Sequence, residues 1–113
     1  MPRYVIWMLE DDGAWEMLPG SEQSRLLGLY GAWVRDLRAR GAFVDGWPLG
    51  RGGSTLCAAS GEVVAAPYDE TKGVATGMFV VEAPDLASAT DLARGCPALL
   101  HGERLIVRPV GHI

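Results

Sequence analysis

The sequence predicts an α+β domain of ferredoxin-like design, an antiparallel sheet with two main helices, and three observations carry that prediction. Short β-favouring apolar runs recur along the chain, and two longer segments carry apolar residues at helical spacing. Their order, strand, helix, strands, strand, helix, strand, is the split β-α-β pattern with a hairpin inserted. With 113 residues, 49% hydrophobic and 21% charged, the whole chain, residues 1–113, is expected to fold as one domain around its own core.

The elements follow in order. Tyr4 to Leu9 is a compact apolar run closed by the acids Glu10 to Asp12 and by Gly13, which reads as the first strand. AWEMLPG, which stops at Pro19-Gly20, reads as a short helical turn or a structured loop. Ser21 is placed to cap a helix in which Leu26, Leu27, Tyr30, Trp33, Val34 and Leu37 recur at spacings of three and four, with Gly41 as its stop. Gly28 and Gly31 inside it each cost about 1 kcal/mol relative to alanine, so a ring or a backbone is expected to approach there. Ala42 to Trp47 is a strand ended by Pro48, and the glycine-rich LGRGG after it is a flexible connection. Ser54 to Ala59, the turn Ser60-Gly61 and Glu62 to Ala66 form a hairpin. Gly77 to Glu82 is a further strand. Pro84-Asp85 opens a second helix that Gly95 closes before Pro97, and Arg104 to Val110 is the last strand, with apolar groups on both faces.

Charge and composition exclude several functions. Ten Lys and Arg against fourteen Asp and Glu leave a formal charge of −4, so no basic field is available for nucleic acid. The apolar run near the start is too short for a signal peptide or a membrane span; the expectation is a cytoplasmic protein that engages no membrane. Cys57 and Cys96 have no CxxC spacing, which indicates neither a disulfide framework nor a metal site, and both read as buried thiols. LGRGGS lacks the lysine and spacing of a phosphate-binding loop, so backbone flexibility explains it more simply.

The segment APYDETKGVATGMFVVEAPDLASATDLARGCP, with LIVRPV after it, resembles the YCII-related family and within it the DGPF branch. That branch carries Asp-Gly-Pro-Phe, a Glu-x-Lys run, a Gly-aromatic strand, a helix after a short acidic segment and a closing Val-Arg-Pro. LYGAWVRDLRARGAFVDGWPL and the aromatic, acidic stretch from Trp7 to Trp15 are similar to the same branch, so the resemblance covers nearly the whole chain. It implies a dimeric α+β barrel, two ferredoxin-like protomers packed sheet to sheet, each with a cleft between its sheet and its helices and loops. The partners it implies are a second copy of the chain and a small organic molecule; no cofactor is called for. Pro67, Glu70, Thr71 and Lys72 match the motif, Tyr68 keeps an aromatic ring, and Ala65-Ala66 replaces the usual Asp-Gly. A mechanism built on that aspartate fails in this chain.

The remaining chemistry falls on a few side chains. A carboxylate at the mouth of an apolar cleft, its pKa raised by desolvation, can act as a general base; Glu70 is the first candidate and Asp69 the second. Tyr68 can donate to a substrate oxygen, and Lys72 can neutralise a developing negative charge. The plainer alternative makes Glu70 and Lys72 a surface pair, or ties the loop to Arg108, which is itself a candidate substrate contact. His101 is an acid/base group by its type, against the alternative of a loop histidine in solvent. Among the aromatic residues, Trp47 beside Pro48 and Tyr30 are the pocket candidates, whereas Trp33 and Phe79 are assigned to the core or an interface. Two functions stay open: a cofactor-free lyase, isomerase or cyclase, or a non-catalytic ligand-binding or accessory protein.

Overall fold

The structure is a computed structural model that describes residues 1–11, 13–70 and 73–111. Its elements are β1 (Arg3–Glu10), α1 (Ala14–Met17), α2 (Gly20–Ala39), β2 (Phe43–Pro48), β3 (Ser54–Ala59), β4 (Glu62–Pro67), β5 (Val74–Glu82), α3 (Leu86–Ala93) and β6 (Arg104–Pro109), with a 3-10 turn at Pro97–Leu100. The four-stranded sheet runs β2-β5-β1-β6, antiparallel throughout. That is the ferredoxin-like order; β3 and β4 form a separate two-stranded sheet, the inserted hairpin.

Alternation in β1 decides which face is covered. Tyr4, Ile6, Met8 and Glu10 are all buried, while Val5, Trp7 and Leu9 between them are only half-buried. The pairings Ile6–Phe79 and Ile6–Val107 put three strands' apolar side chains on the covered face, where each fully buried aliphatic residue contributes about 1.5–3 kcal/mol. Helix α2 lies over that face through Leu26, Trp33 and Leu37. Trp33 meets Phe79 edge-on, 4.9 Å between centroids, and its Nε1–H donates to Leu92 O at 3.1 Å, so one side chain joins α2, β5 and α3. Beneath the Phe79 ring lies Gly46 of β2, where an added Cβ would come within 2.3 Å of the ring.

The helix ends follow ordinary chemistry. Asp85 caps α3 by accepting from Ser88 N–H at 2.8 Å. Gly41, at φ 70°, lets Ala42 N–H return to Leu37 O and close α2. Four expectations need correction. Ser21 does not cap α2: the cap falls two residues earlier, at Pro19, whose extended backbone makes the turn into Gly20. Among the described residues no ring or backbone approaches Gly28 or Gly31; open space surrounds the first, and the Arg35 side chain nears the second. The fifth strand starts at Val74, not Gly77, because its pairing with β1 continues to Glu10. Cys57 is exposed, since among the described residues no second layer covers the hairpin, whereas Cys96 is buried and its thiol pushed up to about 12 by that burial.

The hairpin turn, Ser60 at φ 51° and Gly61 at φ 81°, has the paired positive angles that match strand twist. Every residue of both hairpin strands is exposed. With helices on one face of the main sheet only and a hairpin projecting from it, the molecule measures 49 × 41 × 18 Å. No helix among the described residues is long and apolar enough to cross a membrane.

Candidate functional site

A cleft of about 530 Å³ opens between the sheet and α1, α2 and the loop after β2. Its walls are mostly apolar, with Trp15, Leu27, Tyr30 and Phe79 among them, and a few polar groups converge on it, His101, Glu103, Thr76, Glu10, Glu16 and Arg51. This combination of apolar wall and few polar groups is what small-molecule sites share.

Local backbone chemistry brings those groups together. His101 ends the 3-10 turn and Gly102 follows at φ 81°, a conformation glycine adopts without steric cost. Both His101 N–H and Glu103 N–H then return to Ala98 O at 3.2 Å, which aims the two side chains the same way. Their side chains are 2% and 3% exposed. Thr76 arrives by a different device. Met8 pairs with Gly77 and Leu9 with Ala75, so Thr76 is the extra residue of a β-bulge, which re-aims its hydroxyl into the cleft.

The result is a chain of polar contacts. Tyr30 OH lies 2.8 Å from His101 Nε2, His101 Nδ1 lies 3.1 Å from Glu103 Oε2, and Thr76 Oγ1 donates to Glu103 Oε1. The Nδ1 contact is an ion-pair distance without hydrogen-bond alignment. Trp15 packs on the imidazole with ring centroids 5.1 Å apart. Burial, reinforced by Cys96 and Glu103 nearby, pushes the Tyr30 hydroxyl well above its ordinary pKa, so it is a proton donor at neutral pH. Burial likewise raises Glu103, while the Thr76 hydroxyl and His101 pull against that rise.

Arg51 enters the same cleft from the loop after β2, within electrostatic reach of Glu103. Its guanidinium reaches Glu10 at 2.8 Å and Glu16 and Glu70 at 3.3 Å each. Glu10, 1% exposed, also accepts Trp15 N–H at 2.9 Å, and so fixes α1 against the end of β1.

Of the residues singled out from sequence, Tyr30 and His101 meet in the cleft, and His101 is buried rather than in solvent. Glu70 does not line the cleft; it accepts from Arg51 and from Gly52 N–H at 2.9 Å, and it pairs with Arg51 rather than Arg108. Asp69 is exposed in the same loop. Tyr68 sits at the hairpin base, its N–H on Gly53 O and its hydroxyl accepting weakly from Ala75 N–H at 3.4 Å. Trp47 and Arg108 lie on the opposite face of the sheet, in register with Met78 and Val5. Lys72 falls outside the described residues. Sequence reasoning missed Glu10, Arg51, Thr76 and Glu103. Glu10 shares the parity of Tyr4, Ile6 and Met8, and that signal was available; the bulge that turns Thr76 inward had none.

Among the described residues no group of three His, Cys, Asp or Glu is arranged to hold a metal ion. The sequence matches the YCII-related domain family over residues 3–110. No curated protein matches it. Among solved structures, the fold is similar to 5-chloro-2-hydroxyhydroquinone dehydrochlorinase from Burkholderia phenoliruptrix AC1100, in complex with 2,5-dihydroxybenzoquinone. The TM-score is 0.51 at 17% identity, over 97% of this chain and 94% of that one. The shared architecture is the ferredoxin-like protomer of dimeric α+β barrels.

Proposed function

Since this chain belongs to the YCII-related family, we propose that it is a cofactor-free acid/base enzyme acting on a small, planar organic molecule held in the cleft. The observation that carries this reading is the contact chain Tyr30–His101–Glu103 along the wall of an apolar cleft. Tyr30, held protonated, donates to a substrate oxygen as negative charge develops there. His101 supplies or removes the proton through Nε2, and Glu103 at Nδ1 balances the imidazolium that forms. This suits elimination or isomerisation next to an oxygen-bearing carbon. The ligand named for the structural neighbour, a hydroxylated quinone, is the class of molecule with which to begin.

In this reading Glu70 and Asp69 leave the chemistry to His101, and Glu70 serves to hold Arg51. We also assign the chain to the DGPF branch on Pro67, Glu70, Thr71 and Lys72, and we infer a homodimer that covers the outer face of the sheet, where Trp7, Met78 and Ile106 lie in register.

The test is turnover of a panel of hydroxylated quinones and phenols by the parent, His101→Asn and Tyr30→Phe. His101→Asn is expected to lower kcat by about 100-fold or more while ligand binding, followed by tryptophan fluorescence, changes little. A parent that binds members of the panel and turns over none is a binding protein, and the enzyme reading then fails.

A further inference from the structure

The Arg51 end of the cleft has a charge balance that bears on which ligands it admits. An arginine at a cleft mouth is ordinarily read as an anion receptor, because its planar fork matches a carboxylate. Here each of the three guanidinium nitrogens already faces a carboxylate: Nη2 meets Glu10, Nε meets Glu16 and Nη1 meets Glu70. The first partner is buried and cannot swing away, since Glu10 also holds Trp15 N–H. Gly52 N–H, which could have served an anion, is taken by Glu70. Among the described residues, three carboxylates against one guanidinium leave a surplus of two negative charges at this end. Arg104, on the outer face of the sheet in register with Leu9, is paired with Asp11.

The loop is built to keep this arrangement. Leu49 N–H donates to Thr76 O at 2.9 Å and Tyr68 N–H to Gly53 O at 2.9 Å, so the segment that carries Arg51 is pinned on both sides. Arg51 therefore joins β1, α1 and the loop before β5 across the mouth instead of presenting itself to a ligand.

Resting on the reading of the cleft as a small-molecule site, we propose that the Arg51 cluster makes the cleft select planar molecules that are neutral or cationic at that end and reject their carboxylated analogues. The ring sits against Trp15, Tyr30 and Phe79, with its oxygen toward Tyr30 and its far substituent toward the cluster.

Three para-substituted phenols of similar size test this: 4-ethylphenol, tyramine and 4-hydroxyphenylacetate, titrated by calorimetry at pH 7.5 and low salt. Tyramine and 4-ethylphenol are expected to bind more tightly than the acid, by roughly three- to tenfold for charges of this exposure. Raising salt to about 0.5 M is expected to shrink that ratio in the unmutated protein, and Glu16→Gln, at an exposed side chain, to shrink it at low salt. The acid binding as tightly as 4-ethylphenol, or a ratio unmoved by both salt and Glu16→Gln, overturns the proposal and leaves the cleft reading intact. If none of the three phenols binds, the reading of the cleft as a site for rings fails, and the proposal with it.

Discussion

At the scale of single residues, Glu103 is where stability and chemistry conflict. A carboxyl with a 3% exposed side chain resists ionisation, and its pKa rises. The unfolded chain releases this proton first, near the ordinary value of about 4.3. Its contribution is therefore complete below that pH and lost as pH rises through the raised folded value. Glu103→Gln keeps the shape and removes the titration. Urea unfolding from about pH 4 to pH 8 is expected to show the parent losing more stability on the way up than the variant does. A parent–variant difference constant across that range contradicts a raised Glu103. Thr76 belongs to the same balance: one hydroxyl proton faces two acceptors, Glu103 Oε1 and Met8 O. Its bond to Glu103 favours the ionised carboxyl and so opposes the rise that burial causes.

At the scale of elements, the site depends on departures from regular structure. The bulge in β5 delivers Thr76, and the left-handed glycine between His101 and Glu103 delivers that pair. The regular parts were legible from sequence because apolar period fixes them: β1, α2, the hairpin with its Ser60-Gly61 turn and α3 fall close to where their patterns put them. The bulge left no trace in periodicity: only GMFVVE reads as a strand, and the VAT before it, which carries Thr76, joins that strand through its pairing with β1. Arg51 was hidden for a related reason. A glycine-rich loop predicts freedom, but whether its single cation meets three carboxylates depends on elements distant in sequence. Glu70 had a strong local signal, a charged motif after a proline, yet its partners prove to be Arg51 and Gly52 rather than the cleft. Packing between elements makes a further testable point at Gly46. A methyl there would overlap the Phe79 ring, which Trp33 holds edge-on from the other side. Gly46→Ala is expected to destabilise by about 1–3 kcal/mol, measured as a lower denaturation midpoint with an unchanged slope. An unaltered midpoint shows that the ring is free to yield.

At the scale of the whole molecule, one face of the sheet has no layer over it among the described residues. Val5, Trp7, Met78 and Val80 stay half-buried there, and Ile106, paired with Trp7, is 37% exposed. Arg108 beside Val5 borders this surface, and Trp47 continues it onto β2. The inferred homodimer covers this face with a second copy, sheet to sheet, and makes a sharp prediction because the cleft lies on the other side. Tyr30, His101, Glu103 and Thr76 all come from one chain and from the helix-covered face. Association and ligand binding are therefore expected to separate. Light scattering should give the parent twice the chain mass at micromolar concentration, and Ile106→Asp, which buries a charge if the face is covered, should give the chain mass with an unchanged circular dichroism spectrum. The same variant is expected to bind a ring ligand within about threefold of the parent. A parent that runs as a monomer removes the dimer. A monomeric Ile106→Asp that is folded but no longer binds ties the cleft to the interface, and assigns the outer face a part in the site that its position in the fold does not suggest.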